Sequence, residues 1–453
     1  MIARQLSTIA EDVGGRLVGA DAKVTHVVTD SRVARPGAVF VALRGDRADG
    51  AGFIDDAFRA GAVGAIVPEG TASAGPAIFV GSTDEALMRL GAAEARRLTA
   101  RVVAVTGANG KTSTKDMTAA VASARFVTHA SPGSFNNEIG LPMTLLGATA
   151  ETEVVVAEMG ARRKGDVAAL CEVVRPSIVV VTNIGVAHLE IFGSWDAIVE
   201  AAAEPVEALA SDGWAVLNTD DPVVAGLGAR HTGRVMRFGE HPGAEVRAVD
   251  VSMGNGGAAS FTLQTEEGSA PVTLAVAGEH MVPNALAAAA VGSILGVPLD
   301  EVARALCSAT VSRWRMETFS TSGGVVVIND AYNANPESMA AALKAARAMA
   351  LEGRVIAVLG HMAELGPIAD EEHERLGDLA ARLRVDRLVA VGEPARLIAV
   401  AAMREGLRPD DVAAYDDAGD ALSDVRSEAR PGDVVLVKGS RVAGLEALAE
   451  ALR

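Results

Sequence analysis

Aromatic residues are scarce here: phenylalanine, tryptophan and tyrosine make up 3% of 453 positions, so the cores must be built from Ala, Val, Leu and Ile. There are only two cysteines, Cys171 and Cys307, far apart in the chain. That excludes a disulfide framework and predicts reduced, buried thiols of a cytosolic protein. Positive charge is in the minority. The net charge is −17 and no basic block occurs, which disfavours nucleic acid as a partner. Nucleotide-sized anions would then need local basic groups, loop N–H groups and metal. No apolar run reaches membrane-spanning length, and the first residues carry Glu11 and Asp12 rather than a signal-peptide core, so no membrane insertion is expected. No nucleophile elbow with Ser or Cys is present. Hydrophobic residues at 49% and charged ones at 22% suit a globular protein, and the length allows about three domains.

What stands out is Arg101-Val-Val-Ala-Val-Thr-Gly-Ala-Asn-Gly-Lys-Thr-Ser-Thr114. The β-branched run reads as a buried strand, Gly107, Ala108, Asn109, Gly110, Lys111, Thr112 and Ser113 as a turn, and Lys115 to Ala124 as a helix. A strand, glycine loop and helix present backbone N–H groups and a helix N-terminus to a phosphate chain. Lys111 would reach the terminal phosphates of ATP, and the hydroxyl of Thr112 or Ser113 would hold Mg²⁺. The pattern is the short G-x-x-G-K-T form, because Val105 stands where the first glycine of the longer one would be.

Before this loop, residues 1 to 98 read as a small α/β unit. Its strands are Val24–Thr29, Ala38–Leu43, Ala65–Val67 and Ala77–Val80, and its helices Phe53–Ala62 and Thr83–Leu98. Asp30, Ser31 and Arg32 close the first strand, either as turn chemistry or as a substrate contact. From 99 to 311 strands and helices alternate, as in a parallel sheet covered on both faces. Ser134–Pro142 is a polar, amide-rich loop suited to substrate positioning. The strand Thr152–Ala157 delivers Glu158 to its C-terminal end, and Pro176–Thr182 leads to Asn183 and His188. Ligands of parallel α/β sheets sit outside the carboxyl ends of strands. Thr112, Glu158 and His188 therefore fall on the phosphate edge, as a hydroxyl, a carboxylate and an imidazole able to bind Mg²⁺. Residues 245 to 277 read as short antiparallel strands. His280 and Asn284 face the nucleotide or cap the alanine-rich helix Ala285–Leu295. Ser312–Glu317 is a basic connector, and a fresh Rossmann-like α/β unit occupies 312 to 453. No G-x-G-x-x-G follows its first strand, so it is not read as a nicotinamide domain. Lys438 and Arg441, after its last strand, contact an anionic substrate or are solvated charge.

Two α/β units flanking a nucleotide loop imply substrates meeting between domains, with the chemistry running through phosphate. Here the chain resembles the Mur ligases of peptidoglycan synthesis along essentially its whole length. Ala104–Thr112 looks like their ATP loop. Glu158, Asn183 and His188 match the family's metal and nucleotide positions, and Arg315 of Ser312–Glu317 matches the arginine that meets ATP phosphate. Phe135–Pro142, Glu158–Ala161, Asn329–Met339 and Val437–Arg441 are the more discriminating stretches. No Asp-Asn-Pro-Arg run occurs, which disfavours the diaminopimelate-adding branch. The resemblance implies an N-terminal UDP-binding domain with Ser31 and Arg32 in it, a central ATPase domain and a C-terminal domain. Asp330, Tyr332 and Asn333 would sit near the adenosine, with Asn335 close by, and Asn136, Asn137, Lys438 and Arg441 near substrate. Lys111, Glu158, His188 and Arg315 would be the catalytic set. The implied reaction is ATP- and Mg²⁺-dependent amide formation through an acyl phosphate, with a UDP-muramoyl tripeptide and D-alanyl-D-alanine as partners. A cytoplasmic monomer is expected.

One departure from the family is plain. Its members generally carry a carbamylated lysine in the helix after His188; Ala202 stands there, and no lysine occurs between Lys164 and Lys344. On a helix Glu200 and Glu204 point about 200° away from Ala202, and Pro205 is expected to cap or bend that helix early. His361 replaces a commonly acidic residue. A relative that joins another amine, or one that binds nucleotide without ligating, stays open at this point.

Overall fold

A computed structural model describes residues 1–45, 48–186, 189–254 and 256–453. Among the described residues three large sheets follow one another along the chain, beside one two-stranded ribbon. The first has five strands in the order Arg16–Val18, Ala77–Val80, Gly64–Pro68, Ala38–Val41, His26–Val28, all parallel except the first pair. The expected strand from Val24 to Thr29 is split. Val24 pairs with Arg4 in a separate two-stranded ribbon, while His26–Val28 pairs with Ala38–Phe40. Thr25 makes the corner, its N–H bonded to the Gly37 carbonyl.

The central sheet has nine strands. Arg101–Thr106 lies between Val154–Glu158 and Ile178–Val181, parallel to both, with Thr128–Ala130 beyond the former. Beyond the latter follow Trp214–Asn218 and Arg234–Gly239. Odd and even residues of these strands face different cores. Val103, Val105, Val156 and Val180 pack with the helices Lys111–Ser123 and Met281–Leu295; Ala104, Val155 and Val179 pack with Gly140–Gly147, Asp166–Val174 and Trp195–Glu207. The expectation of a sheet covered on both faces is met, and it explains the unbroken Val runs. The segment expected as short antiparallel strands forms long ones, Val246–Met253, Ala258–Thr265 and Gly268–Ala277, and they extend the same sheet. The helix Met281–Leu295 is buried almost all round. Gly292 lets it approach its neighbours: a Cβ there would stand 2.7 Å from Val121 and 2.9 Å from Val302.

The third sheet orders Glu317–Ser320, Val326–Asp330, Val434–Lys438, Val355–Gly360, Arg387–Val391 and Val412–Tyr415, parallel after the first pair. Three further details differ from expectation. The helix after the glycine loop begins at Lys111, four residues early, because the hydroxyls of Thr112 and Thr114 have side-chain partners and do not compete for the backbone. Pro205 does not stop its helix, which continues to Glu207 so that the proline costs one bond near the end. Cys171 is buried as expected, but Cys307 is exposed.

Candidate nucleotide and ligation site

Register brings the site together. Glu158 lies opposite Val105 and Val181 opposite Thr106, so three strand ends open on one edge at the glycine loop. Gly107 (φ +132°) and Gly110 (φ +78°) turn the loop in backbone conformations that L side chains rarely adopt. A Cβ on Gly107 would stand 2.1 Å from Thr182 Oγ1, and one on Gly110 2.3 Å from Asn284 Oδ1. The loop is gripped at Asn109. Its N–H donates to Asn183 Oδ1 (2.7 Å), and its carbonyl accepts from Asn183 Nδ2 (3.1 Å) and Thr182 Oγ1 (2.7 Å). Ala108 N–H donates to the Asn183 carbonyl (3.0 Å). Asn284 is buried and accepts from Thr114 Oγ1 (3.1 Å), so it braces the helix start. His280 makes no helix-capping hydrogen bond with its side chain. Burial lowers its pKa, partly offset by Asp330.

Lys111 donates to the carbonyls of Gly107 (2.6 Å) and Ala108 (3.0 Å), curling over its own loop. Burial pushes its ammonium pKa down, the Glu158 carboxylate pulls it up, and Arg315 pushes it down further, with a net lowering. Thr112 and Ser113 are both buried. Thr112 Oγ1 donates to Glu158 Oε2 (2.8 Å), and Asn136 Nδ2 to Glu158 Oε1 (2.8 Å). Among the described residues the hydrogen-bond partners of this buried carboxylate are neutral. A buried carboxylate beside a hydroxyl suits Mg²⁺, which keeps several waters and takes few protein ligands. Among the described residues no cluster of three His, Cys, Asp or Glu side chains occurs. His188 lies outside the described residues.

The C-terminal unit closes over this loop. Asn335 Nδ2 donates to Asn109 Oδ1 (2.7 Å), and the Tyr332 hydroxyl pairs with Ser134 Oγ. The Arg315 guanidinium lies 4.2 Å from the Tyr332 ring centroid, a cation–π contact. Asp330 is spoken for: Oδ1 accepts from Met316 N–H (3.0 Å) and Oδ2 from Lys438 Nζ (2.6 Å). Lys438 is 2% exposed and also donates to the Asn333 carbonyl (3.0 Å), so it is not the solvated charge that was one of its two sequence readings, and its ammonium already has partners. Asn333 itself is exposed. Arg441 pairs with Glu446 (2.9 Å) and lies over Trp314 (4.5 Å).

Other sequence candidates fall elsewhere. Asn137 Oδ1 accepts from Ile139 N–H (3.3 Å) and Gly140 N–H (2.9 Å), opening the helix Gly140–Gly147. Ser31 is buried, whereas Arg32 is exposed and forks onto Asp30 (2.9 and 2.7 Å), which drives the Asp30 carboxyl down to about 2. Neither glutamate beside Ala202 turns to the loop. Glu200 pairs with Arg230 (2.7 Å), and Glu204 accepts the N–H groups of Gly165 (2.6 Å) and Ala168 (3.0 Å). Sequence reading missed Thr182 and Asp116, placed Ser134 in a substrate-positioning loop without its bond to Tyr332, and placed Asn335 only nearby. Asn335-Pro-Glu-Ser338 does carry a helix-start signal, but nothing local says its amide also crosses to Asn109.

A glycine loop, a buried carboxylate and a second α/β unit laid over them define a phosphate-loop nucleotide protein with a site between domains. Comparison with known proteins specifies the family. Residues 23–107 match the Mur ligase family catalytic domain, 105–292 the Mur ligase middle domain and 314–441 the Mur ligase glutamate ligase domain. The chain belongs to the Mur ligase family. It is 42% identical to the UDP-N-acetylmuramoyl-tripeptide–D-alanyl-D-alanine ligase of Mycobacterium tuberculosis (strain ATCC 25618 / H37Rv), over 100% of this chain and 98% of that one. MurF from Acinetobacter baumannii superposes with a TM-score of 0.86 at 32% identity, covering 98% of each chain. MurF ligase from Thermotoga maritima, solved in complex with ADP, gives 0.82 at 29% identity, covering 95% of this chain and 97% of that one.

Proposed function

We propose that this chain is an ATP-dependent amide ligase that adds D-alanyl-D-alanine to UDP-N-acetylmuramoyl tripeptide, in the cytoplasm, as a step of peptidoglycan precursor synthesis. The observation that carries the reading is the seam where Asn335 of the C-terminal unit meets Asn109 of the glycine loop and Tyr332, stacked under Arg315, meets Ser134 of the central unit. Full-length similarity to ligases of that name supports the choice of substrates. The working unit is a monomer of three domains, 1–98, 99–311 and 312–453.

A carboxylate oxygen of the tripeptide attacks the γ-phosphorus of ATP, and ADP leaves. The amine of D-alanyl-D-alanine attacks the resulting acyl carbon; the tetrahedral intermediate collapses, expels phosphate, which carries off the proton the amine gives up, and leaves the amide. Lys111 and Arg315 neutralise charge on the transferring phosphoryl group, and the loop N–H groups cradle the phosphates. Thr112, Glu158 and His188 would hold Mg²⁺, which supplies further neutralisation of phosphate charge. Asn183 and Asn284 set the loop's shape, while Tyr332, Asp330 and Asn333 lie on the nucleotide side of the closing unit. Ser31, Arg32, Asn136, Asn137, Lys438 and Arg441 remain the substrate-side candidates, with Lys438 acting through Asp330. Closing the seam keeps water from the acyl phosphate.

Phosphate release from ATP, with the two substrates supplied singly and together, tests this. Release that needs both, with a pentapeptide product, is the expected result. Lys111→Ala should abolish it while the fold stays intact, because that lysine bonds only to its own loop carbonyls among the described contacts. Ala202 favours a second reading, a ligase of another amine; release with a different amine donor and none with D-alanyl-D-alanine would select it. ATP binding without release under every pair would select the non-ligating reading.

A further inference from the structure

We propose that Asp116 is a positioning residue: it ties the interdomain connector to the phosphate-loop helix and thereby sets Arg315 over the loop. The inference rests on the ligase reading above and adds to it a residue that touches no substrate.

Asp116 sits in the second turn of the helix that starts at Lys111. Its Oδ2 accepts two hydrogen bonds from Ser312, one from the backbone N–H (2.7 Å) and one from Oγ (2.8 Å). Its Oδ1 receives the ammonium of Lys115, which is 2% exposed and also donates to the Ser131 carbonyl (2.9 Å). Ser131 Oγ in turn accepts from Glu158 N–H (3.1 Å). The carboxylate is thus anchored inside the central unit, against the strand end that carries Glu158.

Ser312 opens the connector. Three residues on, Arg315 is bracketed by Trp314 (φ +62°) and Met316 (φ +54°), two residues with Cβ atoms in the left-handed region. Such conformations are strained for residues with a Cβ and persist only where surrounding contacts hold them. The contacts downstream belong to the C-terminal unit: Asp330 holds Met316 N–H, Glu317 Oε2 holds Trp314 N–H (3.1 Å), and the Trp314 carbonyl accepts from Tyr332 N–H (3.3 Å). Upstream, the hold is Asp116 on Ser312. Arg315 therefore hangs between the Asp116 anchor in the central unit and several holds in the C-terminal unit, stacked on Tyr332 and within electrostatic reach of Lys111. Release the upstream anchor and the strained segment has a route to relax, taking the guanidinium away from the phosphates while Lys111, Thr112 and Glu158 stay in place.

The test is a double-mutant cycle on the full chain. Asp116→Asn and Ser312→Ala are each made alone and together with Arg315→Ala, and kcat, ATP affinity and Tm are measured. Asp116→Asn is expected to lower kcat about tenfold, as for loss of a charge-assisted pair of bonds. Ser312→Ala, which keeps the backbone bond and the Lys115–Asp116 pair, should lower it about threefold without lowering Tm. In the Arg315→Ala background both losses should vanish, because the residue they act through is gone. Losses that persist undiminished in that background, or no loss from either variant, would overturn the proposal. Should Asp116→Asn fail to fold, Ser312→Ala carries the cycle. An inactive wild type would sink the ligase reading instead, and the cycle would then be read from ATP affinity, with the same two criteria.

Discussion

Asn335 does two jobs with one amide, and the two can be separated. Its Oδ1 accepts from Ser338 N–H (2.9 Å), and Ser338 Oγ accepts Asn335 N–H in return (3.1 Å), a capping box at the start of the helix Pro336–Met349. With Oδ1 so occupied, Nδ2 is the atom that faces Asn109 Oδ1 across the seam, 2.7 Å away. Asn335→Ala removes both. Loss of a cap costs about 1 kcal/mol and loss of a hydrogen bond about another. Asn335→Ser keeps the cap, since serine ranks with asparagine there, but is too short to reach Asn109. The expected pattern is a Tm lowered by a few degrees in the alanine variant and by about half as much in the serine variant. ATP affinity should fall in both, by roughly fivefold, the equivalent of about 1 kcal/mol. Differential scanning calorimetry and equilibrium nucleotide binding measure the two effects separately. Unchanged ATP affinity in Asn335→Ser would show that the amide bridge contributes nothing to holding the loop, and the reasoning from the seam would fail.

Burial, then the Glu204 carboxylate, pushes the Cys171 thiol up to about 12, while Cys307 is exposed. One thiol per native chain should therefore react with an aromatic disulfide reagent at pH 8, and two after denaturation; two fast equivalents in the native protein would refute the packing. His129 is a pH liability. Its Nε2 is buried without a partner, and burial lowers its pKa below 6.5. A histidine held neutral in the fold contributes fully above pH 6.5, and that contribution is lost as pH falls below 6.5 toward the folded value, because the unfolded chain takes the proton first. Tm should drop on acidification through that window, and less steeply in His129→Gln; equal slopes would remove His129 as the cause.

Much of the nucleotide loop was legible because its determinants are local. Gly107 and Gly110 meet φ requirements that a sequence can state, and a β-branched run before them announces a strand. The helix start was read four residues late for an equally physical reason: Thr112, Ser113 and Thr114 are weak helix formers in isolation, and only their partners Glu158 and Asn284, 46 and 170 residues away, free the backbone from their hydroxyls. Lys438 allowed two readings in the sequence, yet it lies buried against Asp330, 108 residues distant. The split of the Val24–Thr29 run between two sheets could not be read locally either, because either strand partner satisfies the same alternation.

The division follows the range of the forces involved. The existence of most strands and helices, the phosphate loop, the capping box at Asn335, the alternation that puts a parallel sheet between two layers, and the lack of any long apolar span were set by residues close together in the chain, whereas the start of the helix at Lys111 and the split of Val24–Thr29 were not. The meeting of Asn335 with Asn109, of Tyr332 with Ser134 and of Asp116 with Ser312 was decided only by tertiary structure. Each of those bonds joins groups whose separation is set by sheet register and interdomain packing, and those are cooperative properties of whole units to which no short stretch of sequence gives a local signal.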